Sequence, residues 1–182
     1  MRINYRKAVP IVILAILGLI VLLPLLAPLF KKIGWDQLAH AIYHLYSFSC
    51  HQKASRSIFL FDEQCAWCTR DTFIWSSIFI STLVVFVSKV KIGISLKTAL
   101  LFGLPMALDG GIQLIATIVS LYTGGTPFYE STNLIRAVTG ASFGIGLSFY
   151  LFPKLKEEIL ATYTSHPQHP PASSETGKLP SS

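Results

Sequence analysis

Charge is what this chain has least of. Asp, Glu, Lys and Arg make up 13% of its 182 residues, where a soluble domain carries about 25%. Acidic residues are the scarcer kind, 9 against 15 basic ones, so the net charge is +6 with histidine neutral. Cysteine is rare too, and three cysteines leave one thiol over in any disulfide scheme. The shortage of charge is also uneven. Four stretches, 8–30, 72–88, 98–122 and 133–152, hold two charged side chains between them, Asp109 and Arg136. About 20 apolar residues at 1.5 Å each cross the hydrocarbon core, so each stretch reads as a transmembrane helix. Such a distribution excludes a soluble enzyme, a nucleic-acid-binding domain and a secreted disulfide scaffold. It also assigns the basic balance to loops beside anionic lipid.

The first stretch follows Arg2, Arg6 and Lys7 as a secretory signal would. Its 23 uncharged residues outrun a signal core of about 7–15, and Pro24 and Pro28 stand where a small-residue cleavage site belongs. It is therefore read as a retained helix. Residues 31–71 form the one long connection and hold all three cysteines and three of the five histidines. Within it Trp35, Leu38, Ala39, Ile42, Leu45 and Tyr46 keep helical spacing, with Asp36, Gln37, His40, His44 and Ser47 on the other face. This pattern predicts an amphipathic helix at the membrane interface or against the bundle. Residues 89–97 make a short basic turn, and Ser131 or Thr132 is placed to cap the last helix.

The fold class expected is thus an all-α membrane bundle of four spans with one interfacial helix in the first loop, over residues 1–164. The tail 165–182 is rich in Pro and Ser and cannot bury a core, so disorder is expected there; its His166 and His169 are not read as a metal pair. Basic residues near span ends number eight on the side of the N-terminus, second loop and proximal tail, against five in the first loop and none in the third. This bias points to a multi-pass protein of the cell membrane with both termini cytoplasmic. In either orientation the first and third loops share one face.

Polar chemistry concentrates in two places. Cys50-His51 is followed fourteen residues later by Cys65-Ala66-Trp67-Cys68, a donor set suited to tetrahedral zinc, with His44 as a substitute ligand. A Cys65–Cys68 or Cys50–Cys65 disulfide, or inert thiols, are the competing readings. His40 and His44, one turn apart after Asp36, read as a wet helix face. In the spans, Asp109 lies mid-helix with Gln113 and Thr117 on the same stripe, and Pro105 with Gly110-Gly111 allows the helix to loosen. A carboxylate at that depth needs a partner. Thirteen residues separate it from Tyr122, about 20 Å along a helix, so a direct pair with Arg136 is strained. Arg136 more easily meets Gln113, Glu130 or an anionic headgroup, and Gly140 with Gly144 suits close helix contact. The competing reading of these groups is a structural polar network.

Several blocks together resemble an integral membrane family, domain of unknown function 2085. They are Tyr46-x-x-Ser49-Cys50-His51-Gln52, Arg56-Ser57, Cys65-x-x-Cys68, Leu108-Asp109-Gly110-Gly111-x-Gln113 and Glu130-Ser131-Thr132-Asn133-x-x-Arg136-x-x-Thr139-Gly140. The resemblance covers roughly residues 35–146 and implies a membrane location, without a reaction. One departure is that the family's pattern has Arg between the paired cysteines, where this chain has Trp67 and carries Arg70 after Cys68.

The leading expectation is one site built from the two same-face loops and the third span, binding a metal or an anionic lipid-like ligand. His51 would be ligand or general base, Asp109 and Gln113 would orient a ligand group, and Arg136 would hold an anion. Cys50, His51, Cys65 and Cys68 are the metal candidates, with zinc as the cofactor. Gln52, Arg56, Arg70, Glu130 and Asn133 complete the ligand-binding set. The alternatives are a thiol–disulfide protein cycling Cys65 and Cys68, and a helper or transport subunit using Asp109 and Arg136 for packing.

Overall fold

The computed structural model describes residues 5–88 and 93–165; of the expected tail Ser165 ends the last helix, and 166–182, with His166 and His169, lie outside the described residues. The order is α1 (Tyr5–Lys32), α2 (Asp36–Ser47), β1 (Ser57–Leu60), β2 (Glu63–Cys68), α3 (Thr69–Val87), α4 (Leu96–Thr123) and α5 (Asn133–Ser165). Among the described residues, α1, α3, α4 and α5 are long and apolar enough to cross a membrane. Leu19, Leu100, Leu101, Leu114 and Val138 are among the many large apolar side chains that face outward, as lipid-facing surfaces require.

The most extensive helix pair is α3 with α5. Gly140 meets Arg70 and Ile74, and Gly144 meets Ile74, Ser77 and Ile78, so the two helices run parallel. A Cβ on Gly140 would stand 2.7 Å from the Arg70 carbonyl oxygen, which is why only glycine permits this approach. α4 packs antiparallel on the other side of α5, with Phe102 against Gly146 and Phe143 against Gly103.

Two prolines inside helices free carbonyls that the tertiary structure then uses. Pro153 lies within α5, which therefore runs beyond the expected end at 152. Its missing N–H orphans the Phe149 carbonyl, and Ile94 N–H donates to it at 3.2 Å. Pro24 likewise frees the Ile20 carbonyl of α1, which accepts from Tyr46 Oη at 3.1 Å. This bond docks α2 on α1. The expected amphipathic helix is present, with Ala39, Ile42 and Tyr46 buried. Its core is Ala27, Ile42, Tyr46, Cys50, Ala66 and Trp67, with Trp67 edge-on to Tyr46 and stacked on Trp75.

The antiparallel hairpin β1–β2 is an addition to the all-α expectation. Its two-residue turn, Phe61-Asp62, has positive φ at both positions (57° and 67°). Asn-Gly is the usual signal for such a turn, and its absence left the strands looking like loop. The hairpin ends where α3 begins, so Cys68 passes directly from strand to helix.

Candidate functional site

The site forms where α3 and α5 start and the middle of α4 passes. Asp109, 6% exposed, is its first anchor. Its carboxylate is salt-bridged to Arg70 and accepts from Tyr129 Oη at 2.6 Å and Ser131 Oγ at 2.9 Å. The expectation that Asp109 lies about 20 Å from the third loop is corrected here. α4 ends at Gly124 in the left-handed conformation (φ 68°), and the following segment returns along the helix to bring Tyr129 and Ser131 against Asp109. The helix also stays regular through Pro105 and Gly110-Gly111. Gly110 instead leaves room for the guanidinium, since a Cβ there would lie 3.4 Å from Arg70 Nη1.

Arg136 is the second anchor. It sits in the first turn of α5, where Thr132 Oγ1 accepts from Ile135 N–H at 3.3 Å, the cap expected for that helix. At 3% exposure its guanidinium is buried. Nε donates to the Ser131 carbonyl at 2.9 Å. Gln113, its amide oxygen turned toward the guanidiniums, accepts from Arg136 Nη2 at 2.9 Å and from Arg56 Nη2 and Nη1 at 2.9 and 3.3 Å. Arg56 reaches on to Glu130 at 2.9 Å, tying first loop to third loop. Arg136 therefore meets Gln113, as expected, while Ser131 stands between it and Asp109.

These groups open on a cavity of about 200 Å³ lined by cationic Lys53, Arg56, Arg70 and Arg136, with His51, Gln113, Gln52, Cys50, Cys68 and Asp71 among the rest. His51 is at its exposed rim. Gln52 is held in the left-handed region (φ 49°), and its amide donates to the Tyr43 and Ala66 carbonyls at 2.7 and 3.0 Å. It builds the wall. Asn133 is exposed and outside the cavity lining, as are His40 and His44; His44 stands edge-on to Phe48.

The cysteines rearrange the sequence expectation most. Cys65 and Cys68 lie three apart on β2, hence on opposite faces of the strand. Cys65 is fully buried, and that burial pushes its thiol up to about 11. Cys68 meets Cys50 instead. The side-chain hydrogen bond shared by Cys50 and Cys68 lowers Cys50 to about 7 and raises Cys68. Asp71, three residues on and in the first turn of α3, accepts from Cys68 Sγ at 3.2 Å. Lys53, Tyr129 and Ser131 were not singled out from sequence as site residues. Tyr129 and Ser131 flank Glu130 in a Gly-Gly and Pro-containing connection, and such a composition marks a loop without marking that it doubles back along α4.

Fold and site together define a multi-pass membrane protein with a polar, arginine-rich site where two loops of one face meet. Residues 50–150 match the family described as "Predicted membrane protein (DUF2085)". The chain is 32% identical over 142 residues to Uncharacterized protein MJ1492 of Methanocaldococcus jannaschii, covering 74% of this chain and 84% of that one. The chain belongs to this DUF2085 family. No solved structure matches it.

Proposed function

We propose that the cavity binds an anionic ligand through its phosphate or carboxylate group, with Arg136 as the principal anchor. The observation that carries this reading is Arg136 itself. It is a buried guanidinium whose hydrogen-bond acceptors, Ser131 and Gln113, are neutral, and among the described residues it enters no ion pair. Burying an uncompensated charge costs several kcal/mol, a cost that an incoming anion offsets. Arg70 Nε is likewise a buried donor without an acceptor. Arginine forks suit the paired oxygens of phosphate and carboxylate. His51 stands exposed at the rim, within the cavity lining, and Asp109 orients Arg70.

The site belongs, on this reading, to the extracytoplasmic face of the cell membrane. The support is the excess of basic residues beside the termini and second loop. An anionic lipid headgroup or a free anion can supply the same chemistry. Calorimetric titration of the detergent-solubilised chain with inorganic phosphate and with short-chain phosphatidic acid separates the two sources. Tighter binding of phosphatidic acid marks a lipid site, and equal binding marks a free anion. Arg136→Gln removes a charged hydrogen bond of about 1.5–3 kcal/mol, so affinity falls about tenfold or more. Its ligand-free form melts within a few degrees of wild type, because relief of a buried charge without an ion pair offsets the hydrogen bonds lost to Ser131 and Gln113. Unchanged affinity in Arg136→Gln sinks the proposal.

A further inference from the structure

Three metal-ligating atoms converge on the cavity wall. Cys50 Sγ, Cys68 Sγ and an Asp71 carboxylate oxygen all lie within 4.8 Å of one another, and all three residues line the cavity. Each comes from a different element: Cys50 follows α2, Cys68 ends β2, and Asp71 is in the first turn of α3. The fold fixes them before any ion arrives. Cys50 N–H donates to the Tyr46 carbonyl at 3.1 Å, and Cys50 is packed in the core of Tyr46, Ala66 and Trp67. Cys68 N–H in turn donates to Cys50 Sγ at 3.2 Å, a bond of the kind that orients a ligating thiolate. Tetrahedral zinc, with Zn–S about 2.3 Å and Zn–O about 2.0 Å, asks for donor separations of about 3.5–3.8 Å. Cys68 Sγ and Asp71 Oδ2 stand 3.2 Å apart and no separation in the triangle exceeds 4.8 Å, so side-chain shifts of about 1 Å reach that spacing.

We propose that Cys50, Cys68 and Asp71 bind a thiophilic divalent cation, zinc, and leave its fourth position open to the arginine-lined cavity, where an anionic oxygen of the ligand completes the tetrahedron. Thiolates select zinc over magnesium or calcium. Three protein ligands with one open position make a site that acts on a ligand, whereas a purely structural zinc is closed by four. Binding releases the two thiol protons. Two thiolates and a carboxylate exceed the charge of the ion by one, and Lys53, Arg56, Arg70 and Arg136 on the same cavity balance it. Against the set expected from sequence, Asp71 replaces Cys65, and His51 stays at the rim. The triad stands on its own geometry, while the open fourth position rests on the anion-site reading.

Cobalt(II) is the probe, titrated into the reduced, chelator-treated full chain in detergent. One equivalent binds with a thiolate-to-cobalt charge-transfer band. The band is lost in Cys50→Ser and Cys68→Ser and intact in Cys65→Ser. Asp71→Asn weakens cobalt affinity at least about tenfold while its metal-free melting point stays within a few degrees of wild type, which separates a lost ligand from a lost fold. A band that survives Cys50→Ser, or that Cys65→Ser abolishes, overturns the triad. So does a reduced chain that takes up no cobalt and reoxidises to a Cys50–Cys68 disulfide. Inorganic phosphate then shifts the cobalt spectrum of wild type. If cobalt binds as described and phosphate leaves its spectrum unchanged, the open fourth position is wrong and the triad is retained.

Discussion

Asp109 and Arg136, the two charges in the apolar stretches, are buried on opposite terms. Asp109 is saturated: a guanidinium, a phenol and a hydroxyl all donate to it. Arg136 is satisfied only by neutral oxygens. Replacing Asp109 therefore strands Arg70, and Asp109→Leu should cost about 3–5 kcal/mol, the loss typical of breaking one side of a buried pair. Asp109→Asn keeps shape and acceptor oxygen and should cost less, about 1–3 kcal/mol. Denaturant unfolding in detergent measures both; a Leu variant as stable as wild type would remove Asp109 from the network. The residue types of this site were legible in the sequence, and so was the Arg136–Gln113 contact, because Gln113 lies one turn beyond Asp109 on the same stripe of α4, toward the third loop. The Arg70–Asp109 pair was not. It depends on a loop that doubles back after Gly124 and on the room left by Gly110, neither of which has a periodic signature.

At the scale of elements, glycine placement decides which helices meet. At Gly144 an added Cβ would fall 2.5 Å from the Ile74 carbonyl oxygen, whereas at Gly111 nothing lies within 4 Å. Gly144→Leu should destabilise by about 1–3 kcal/mol or more through overpacking of α3 on α5. Gly111→Ala should stabilise by up to about 1 kcal/mol through helix propensity. Thermal unfolding of the two variants side by side checks the contrast, and equal effects would refute the α3–α5 interface. The four spans and α2 were legible because hydropathy and the 3.6-residue period each repeat over long windows. The hairpin was not: β1 is four residues long, and Phe61-Asp62 does not announce a turn with two positive φ values. That hairpin sets Cys65 and Cys68 on opposite faces, so the Cys-x-x-Cys spacing misled about which thiols meet. Cys-x-x-Asp was the better pattern, since Cys68 stands at the cap position of α3 and the side chain three residues on, Asp71, folds back toward it.

For the whole molecule, four spans bring the first and third loops to one face, and the structure joins them through Arg56, Glu130, Gln113 and Arg136. The orientation proposed from basic residues has its own check: a protease added to intact cells should leave a tag at the C-terminus uncut. Cleavage of that tag without membrane disruption would reverse the orientation. The central claim, an anion held by a buried arginine, is tested most directly by native mass spectrometry of the full chain purified gently from membranes. Wild type should carry an anionic adduct, a phosphate or a lipid bearing one, that Arg136→Gln loses while Cys65→Ser keeps it. An adduct equally abundant in Arg136→Gln, or none in wild type under conditions that preserve lipid binding, would contradict the account.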